Sequence, residues 1–249
     1  MDARAAAPQG SAAPRAYEAV VAWVEERILD GRLQVGDQLP AERDLSARLE
    51  VSRSVVREAV RSLQAQGVLA PSVGAGRAGG TRVSALPSGA LTRLLRLHVA
   101  LAHFPLDEVV EVRTALERLS ARLAATRATE QDLERLRGHL EQMRTATDRE
   151  AFNDGDTAFH VTLARAAGNG LAADTTEAIR EALRRPLMDL FTALDETAYP
   201  DLVEDLMREH EAIYDAVATH DPAAAEVLVE AHVRTAWRRL RGAAATMAP

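Results

Sequence analysis

Residues 42 to 67, ERDLSARLEVSRSVVREAVRSLQAQG, constrain this chain more than any other stretch. Leu45 and Leu49 set an apolar stripe at helical spacing, and after a break at Glu50-Val51 the stripe resumes through Val55, Val56, Ala59, Val60 and Leu63. Two short helices around a tight turn follow from that pattern. Ser52 stands at the N-cap position of the second helix, and Arg53, Ser54 and Arg57 lie on its first turns outside the stripe. A helix that enters the DNA major groove presents its N-terminal residues to base edges, where arginines and hydroxyls meet guanines and phosphates.

An amphipathic helix pair with arginines on its wet face occurs in many helical proteins, so the flanks decide the reading. Residues 15 to 30 form a further apolar-periodic helix through Tyr17, Val20, Val21, Val24 and Ile28, followed by the punctuated connection GRLQVGDQLPAER. After Gly67, the run VLAPSVGAGRAGGTRVS gives two short β-prone segments around a tip with Gly74, Gly76, Arg77, Gly79 and Gly80. Helix, helix-turn-helix and a two-stranded wing make a winged-helix layout.

On the residues Leu39-Pro40-Ala41-Glu42-Arg43, Val51 to Ala59, Gly67 and Gly80-Thr81-Arg82-Val83, the segment resembles the DNA-binding domain of the GntR superfamily of bacterial transcription regulators. The resemblance implies DNA contacts at Arg43, Ser52, Arg53, Ser54 and Arg57, and wing contacts at Gly76 and Arg77. Glu50 departs from the pattern, since the family usually has glycine in the turn, where positive φ carries no Cβ penalty.

A length of 249 residues suits two domains, and 47% hydrophobic residues suffice for a core. Aromatics are only 4%, so that core must be mostly Leu, Val and Ala, as in packed helices. Cysteine is absent, which excludes a disulfide framework and thiolate metal ligands. No apolar run approaches the ~20 residues of a membrane span, and the N-terminal MDARAAAPQGSAAPR has no signal-peptide core. The expectation is a cytoplasmic protein with a flexible arm over residues 1–14. The net charge of -7 argues at first against a nucleic-acid partner, but it is unevenly spread. Residues 1–84 carry 11 arginines against 10 acidic groups, and between residues 42 and 82 the count is seven to four for arginine. DNA affinity depends on that local face.

Beyond residue 86 the pattern is helical throughout, with helices expected near 88–102, 106–126, 129–146, 148–167, 171–194, 200–219 and 221–243. Short seams favour antiparallel neighbours, so the fold class is mainly α: a winged helix-turn-helix over 15–84 and an all-α antiparallel bundle over 85–249. Pro186 should kink its helix or end it early. Asn169 should cap the helix it follows through a left-handed turn. His98, His103, His139 and His220 match no motif, and Trp23 and Trp237 read as packing residues.

Four residues carry the bundle's chemistry. Asp156 and His160 are four apart and share a helix face. His210 and His232 each lie 11 residues from the turn at Asp221-Pro222, so at ~1.5 Å per residue both sit ~16 Å from it on facing helices. One carboxylate and three imidazoles suit a divalent metal, zinc first, with nickel or manganese as alternatives. The segments DGDTAFH, REHEAIYDAV and EAHVRTA resemble the metal-binding stretches of the FCD ligand-sensing domain in the FadR-like branch of the same superfamily. That resemblance implies a metal on Asp156, His160, His210 and His232, and a carboxylate effector held in part by Arg113. Arg113 could instead form a surface ion pair with Glu117, one turn on.

The reading is a homodimeric regulator, by default a repressor, that binds a pseudo-palindromic double-stranded operator and responds to a small organic acid. Two alternatives stay open at this point. A metal-dependent hydrolase would use the open coordination positions to activate water, although Glu209 and Glu211, the carboxylates nearest the ligands in sequence, are expected to point away. The other is a regulator whose bundle only dimerises around a structural metal.

Overall fold

The computed structural model describes residues 12–72, 80–84, 88–195 and 198–246. The chain divides into two compact units, Met1–Ala90 and Leu91–Pro249.

In the first unit, α1 (Ala12–Leu29), α2 (Glu42–Leu49) and α3 (Arg53–Ala65) precede β1 (Leu69–Ser72) and β2 (Gly80–Val83). The strands pair antiparallel from Leu69↔Val83 to Ser72↔Gly80. The periodic residues of the sequence meet in one core: Val20, Val24, Leu45, Val56, Ala59, Val60 and Leu63 are buried, while Tyr17, Val21, Ile28, Leu49 and Val55 pack around them. Each such Val or Leu contributes ~1.5–3 kcal/mol by leaving water. The helix-turn-helix corner is held by polar contacts as well. Glu50 adopts φ 53 and ψ 36, and its N–H donates to the Ser46 carbonyl; Ser46 Oγ donates to the Val51 carbonyl at 2.6 Å. A glutamate therefore sits in the left-handed conformation that favours glycine, a strain the surrounding contacts sustain. The wing tip, with Gly76 and Arg77, lies outside the described residues.

The second unit is built from α5 (Leu106–Arg127), α6 (Glu130–Arg144), α7 (Arg149–Ala166), α8 (Gly170–Ala193), α9 (Ala198–Ala218) and α10 (Pro222–Thr246). α4 (Ser88–Ala100) runs across the boundary between the units. The helices start where side chains can cap them. Thr129 and Asp132 form a reciprocal capping box on α6, and Asp148 caps α7. Phe152, Phe159, Leu136, Leu163, Leu183, Ile213, Val217 and Val229 are among the buried core residues. α6 and α7 approach closely at Gly155, where a Cβ would meet Met143 Cγ at 2.7 Å.

One local expectation is corrected and another is narrowed. Asn169 does not cap α7; Gly168, at φ 65, takes the left-handed position, and Asn169 Oδ1 instead accepts from Ala172 N–H to cap α8. Glycine bears that conformation at lower cost, which frees the asparagine for the next helix. α8 does not end early at Pro186 but continues to Ala193. Leu183, Leu187 and Phe191 bury on both sides of the proline, so tertiary packing outweighs the lost backbone hydrogen bond.

Candidate metal centre and nucleic-acid face

α7 supplies Asp156 and His160 one turn apart, α9 supplies His210, and α10 supplies His232. One potential ligand atom from each of the four lies within 4.8 Å of all the others. His160 Nε2 is 3.1 Å from His210 Nε2 and 3.2 Å from His232 Nε2. Asp156 Oδ1 lies 3.0 Å from His210 Nε2 and 3.8 Å from His160 Nε2. The three histidines are at most 2% exposed, whereas the Asp156 side chain keeps 16%.

The outward nitrogens fix the tautomers. His210 Nδ1 lies 2.7 Å from the Leu206 carbonyl, and His232 Nδ1 lies 2.8 Å from Glu209 Oε2. His160 Nδ1 makes a short 2.6 Å contact with Glu117 Oε2, with its N–H off the axis to the oxygen. An oxygen beside Nδ1 requires the proton there, which leaves a bare lone pair on each Nε2. Burial, followed by the Arg180 charge, pushes His160 down to about 3 despite Glu117, so no imidazolium proton bridges the rings. Burial and the His210 charge also lower His232. Three imidazole Nε2 atoms and a carboxylate oxygen thus converge on one point. That donor set fits a divalent cation of borderline character, and metal-bound imidazoles typically hold an oxygen on their other nitrogen in this way.

Around the four ligands lies a buried charge network. Glu117 accepts from Arg113 Nε at 2.7 Å, and from Arg180 Nε at 3.1 Å and Nη2 at 3.3 Å. Arg180 Nη1 donates to Asp156 Oδ2 at 2.7 Å, so Asp156 is held by one oxygen while the other faces the histidines. Burial pushes Glu117 and Asp156 up, but the arginine charges beside them hold both well below the usual carboxylate range. Arg113 is 8% exposed, so it forms a buried ion pair with Glu117 and not the surface pair considered above. It reaches Glu117 through Nε, and its two Nη groups have no protein acceptor among the described residues.

Sequence reasoning missed Arg180. Its signal was available, because Thr176, Arg180, Leu183 and Leu187 recur at helical spacing and all four are buried; an arginine on an apolar stripe calls for a buried partner. The expectation that Glu209 points away is corrected, since it holds the outer nitrogen of His232. Adjacent residues sit ~100° apart around a helix, which turns Glu209 from the direction of His210 toward α10 and the outer edge of the His232 ring. Glu211 pairs with Arg144.

In the first unit, Arg43, Ser52, Arg53, Ser54 and Arg57 are all exposed around the helix-turn-helix corner. Ser52 caps α3 by accepting from Val55 N–H at 3.3 Å, and its hydroxyl lies 2.8 Å from that of Ser54. Arg57 Nη2 pairs with Glu42 at 3.0 Å, joining α3 to α2, and Arg43 pairs with its neighbour Asp44. Arg53 has no ion pair among the described residues.

A winged helix-turn-helix unit with arginines and serines exposed at its corner has the layout of a DNA-binding domain. Residues 16–78 match the model of the gntR family of bacterial regulatory proteins, and residues 108–235 match that of the FCD domain. The HTH-type transcriptional regulator LutR of Bacillus subtilis is 32% identical over 210 residues, covering 83% of this chain and 92% of LutR. The galactonate operon transcriptional repressor of Escherichia coli is 30% identical over 231 residues, covering 89% and 95%. Among solved structures, Streptococcus agalactiae GntR superposes with a TM-score of 0.56 at 26% identity, covering 89% of this chain and 99% of that one. The chain belongs to the GntR family of transcription regulators and carries a C-terminal FCD domain. The family and these relatives are regulators and not enzymes, which sets the hydrolase alternative aside. No helix among the described residues is long and apolar enough to cross a membrane.

Proposed function

We propose that this chain is an operator-binding repressor, acting as a homodimer, whose affinity for DNA is set by a small carboxylate bound at a metal centre. Residues 15–84 form the DNA-binding unit, and residues 85–249 form the effector-binding and dimerisation unit. Arg43, Ser52, Arg53, Ser54 and Arg57 face the operator, joined by Gly76 and Arg77 from the wing. Two recognition helices ~34 Å apart read a pseudo-palindrome.

The observation that carries the sensor reading is the convergence of three bare Nε2 atoms and Asp156 Oδ1. Zinc fits that set, as do nickel and manganese. When bound, the cation supplies a Lewis-acid anchor for a carboxylate oxygen. The chain's own charges favour an anion there: Arg113 and Arg180 balance Glu117 and Asp156, so a divalent ion leaves a positive excess that Glu209 only partly offsets. The free Nη edge of Arg113 offers two donors to a carboxylate, and Arg113 is near enough to Asp156 to feel its charge. One relative is named for the operon of galactonate, a carboxylate metabolite, and as a repressor. Ligand changes operator affinity only by binding the two arrangements of the dimer unequally.

Native mass spectrometry on protein purified without chelator or affinity metal tests this reading. A dimer with one divalent ion per chain supports it, and a co-purified acid would name the effector. A metal-free dimer would overturn the metal centre while leaving the DNA-binding unit intact.

A further inference from the structure

The second unit carries an apolar surface that the sensor and the DNA face do not use. On α4 and the turn after it, Leu94, Leu97 and Leu101 are 52%, 55% and 75% exposed. Their spacing places them on one face of the helix. Single exposed leucines are ordinary; three within eight residues on one face form a patch. α4 leans on its own unit mainly through Leu95 and Val99. A 13-residue helix with so little packing is marginal alone in water. Beside it, between α4, the α4–α5 connection and α8, runs a groove of about 910 Å³ with Leu97, Phe104, Leu106, Pro186 and Met188 in its wall.

The charges at this groove are self-complementary. Arg96 on α4 and Arg185 on α8 stand against Glu181 and Asp189 on α8. Arg96, Arg185 and Asp189 form no ion pair or hydrogen bond among the described residues, and Glu181 has only a longer-range attraction to Arg184. A third cation of the wall, Arg184, is already paired with Glu150 and Asp154. The two remaining cations, two anions and an apolar stripe on one patch are what an isologous two-fold contact requires, because each copy must present both halves of every pairing.

We propose that the α4 leucine face and the α4–α8 groove form the interface with a second copy of this chain. α4 of one protomer seats its leucines against the groove of the other, with Arg96 facing the partner's acidic α8 edge. This rests on the homodimer reading above and adds the surface that makes the dimer.

Sedimentation equilibrium and light scattering on the full chain as purified test it. Wild type is expected to be a dimer, and Leu97→Glu to raise its dissociation constant about 30-fold or more, the effect of losing one buried leucine. Circular dichroism checks that helix content is kept. A charge-swapped pair distinguishes a lost contact from a damaged fold. Arg96→Glu alone and the double variant Glu181→Arg/Asp189→Arg alone should each dissociate, and their equimolar mixture should recover a heterodimer, since both symmetric contacts are then restored. A wild-type chain that stays monomeric overturns the homodimer reading itself. A wild-type dimer that survives Leu97→Glu, or a mixture that stays monomeric, overturns this surface while leaving the homodimer reading in place; the groove would then serve another occupant, such as a peptide or an apolar ligand.

Discussion

Glu117→Gln probes the buried network most directly. In the wild type, its two carboxylate oxygens serve Arg113 Nε at 2.7 Å, Arg180 Nε at 3.1 Å and Nη2 at 3.3 Å, and the short contact to His160 Nδ1. Glutamine keeps the volume and one acceptor, but it turns an NH2 toward these donors and removes the charge that balances one of two arginines. Arg113 and Arg180 are 8% and 2% exposed, so water cannot replace the lost partner. Breaking a buried ion pair by removing one member costs about 3–5 kcal/mol. Against a typical domain stability of ~5–15 kcal/mol, that is about a fifth or more. For a unit of this size, ~2–4 °C of Tm per kcal/mol converts the loss to about 6–20 °C. Differential scanning calorimetry on chelator-treated protein measures it without a metal contribution. Arg113→Met combined with Glu117→Gln restores electrical balance and should recover part of the loss, a coupling that simple misfolding would not produce. A fall in Tm of less than about 2 °C for Glu117→Gln would refute the view that this carboxylate is the buried partner both arginines depend on.

Other perturbations test the remaining parts. Arg53→Ala should weaken operator binding by ~1–3 kcal/mol if this unpaired arginine reads a base; unchanged affinity in a fluorescence titration at fixed salt would remove it from the interface. His210→Ala should abolish metal uptake while keeping helix content, and full occupancy by elemental mass spectrometry would contradict the assigned ligand set. Glu50→Gly should stabilise the first unit by about 1 kcal/mol, because glycine adopts φ 53 without a Cβ penalty; a lower Tm would show that the Glu50 side chain contributes more than its strain costs. Thr129→Ala should cost ~1 kcal/mol through the α6 capping box. Hydrogen bonds from Thr129 depress the Asp132 carboxyl, so the stability this carboxylate adds is present above its unfolded pKa and is lost as pH falls through the lower folded value. Asp132→Ala should therefore match wild type in acid and fall below it at neutral pH in thermal melts.

Much of the fold was legible because local signals agreed with the tertiary structure. The stripe from Leu45 to Leu63 became the core of the first unit, and the second unit's helices begin and end within a few residues of the punctuation that marked them. Asp156 and His160 could be paired by their four-residue spacing, and His210 with His232 by register, since helical rise sets the height of a residue along a bundle. Their partners were harder to find. Arg180 meets Glu117 across 63 positions, and Glu209 meets His232 only because α9 and α10 are rotated to bring them together. Helix rotation is decided by packing across the bundle, and no single segment records it. Asn169 was misassigned for a more local reason: Gly168 and Asn169 can each end one helix or begin the next, and only the backbone geometry separates them.

The seven residues of the buried site come from α5, α7, α8, α9 and α10, and Arg113 lies 119 positions from His232. No two neighbouring helices suffice to assemble it, so the site closes only when the bundle's long-range order is already in place. Contacts of such separation form late in folding. A cation that binds there stabilises a state reached after the main barrier, and its effect falls on the unfolding rate. In a denaturant chevron, metal should lower the unfolding limb and leave the refolding limb where it was. The ion then sets how long a regulator, once folded, stays folded.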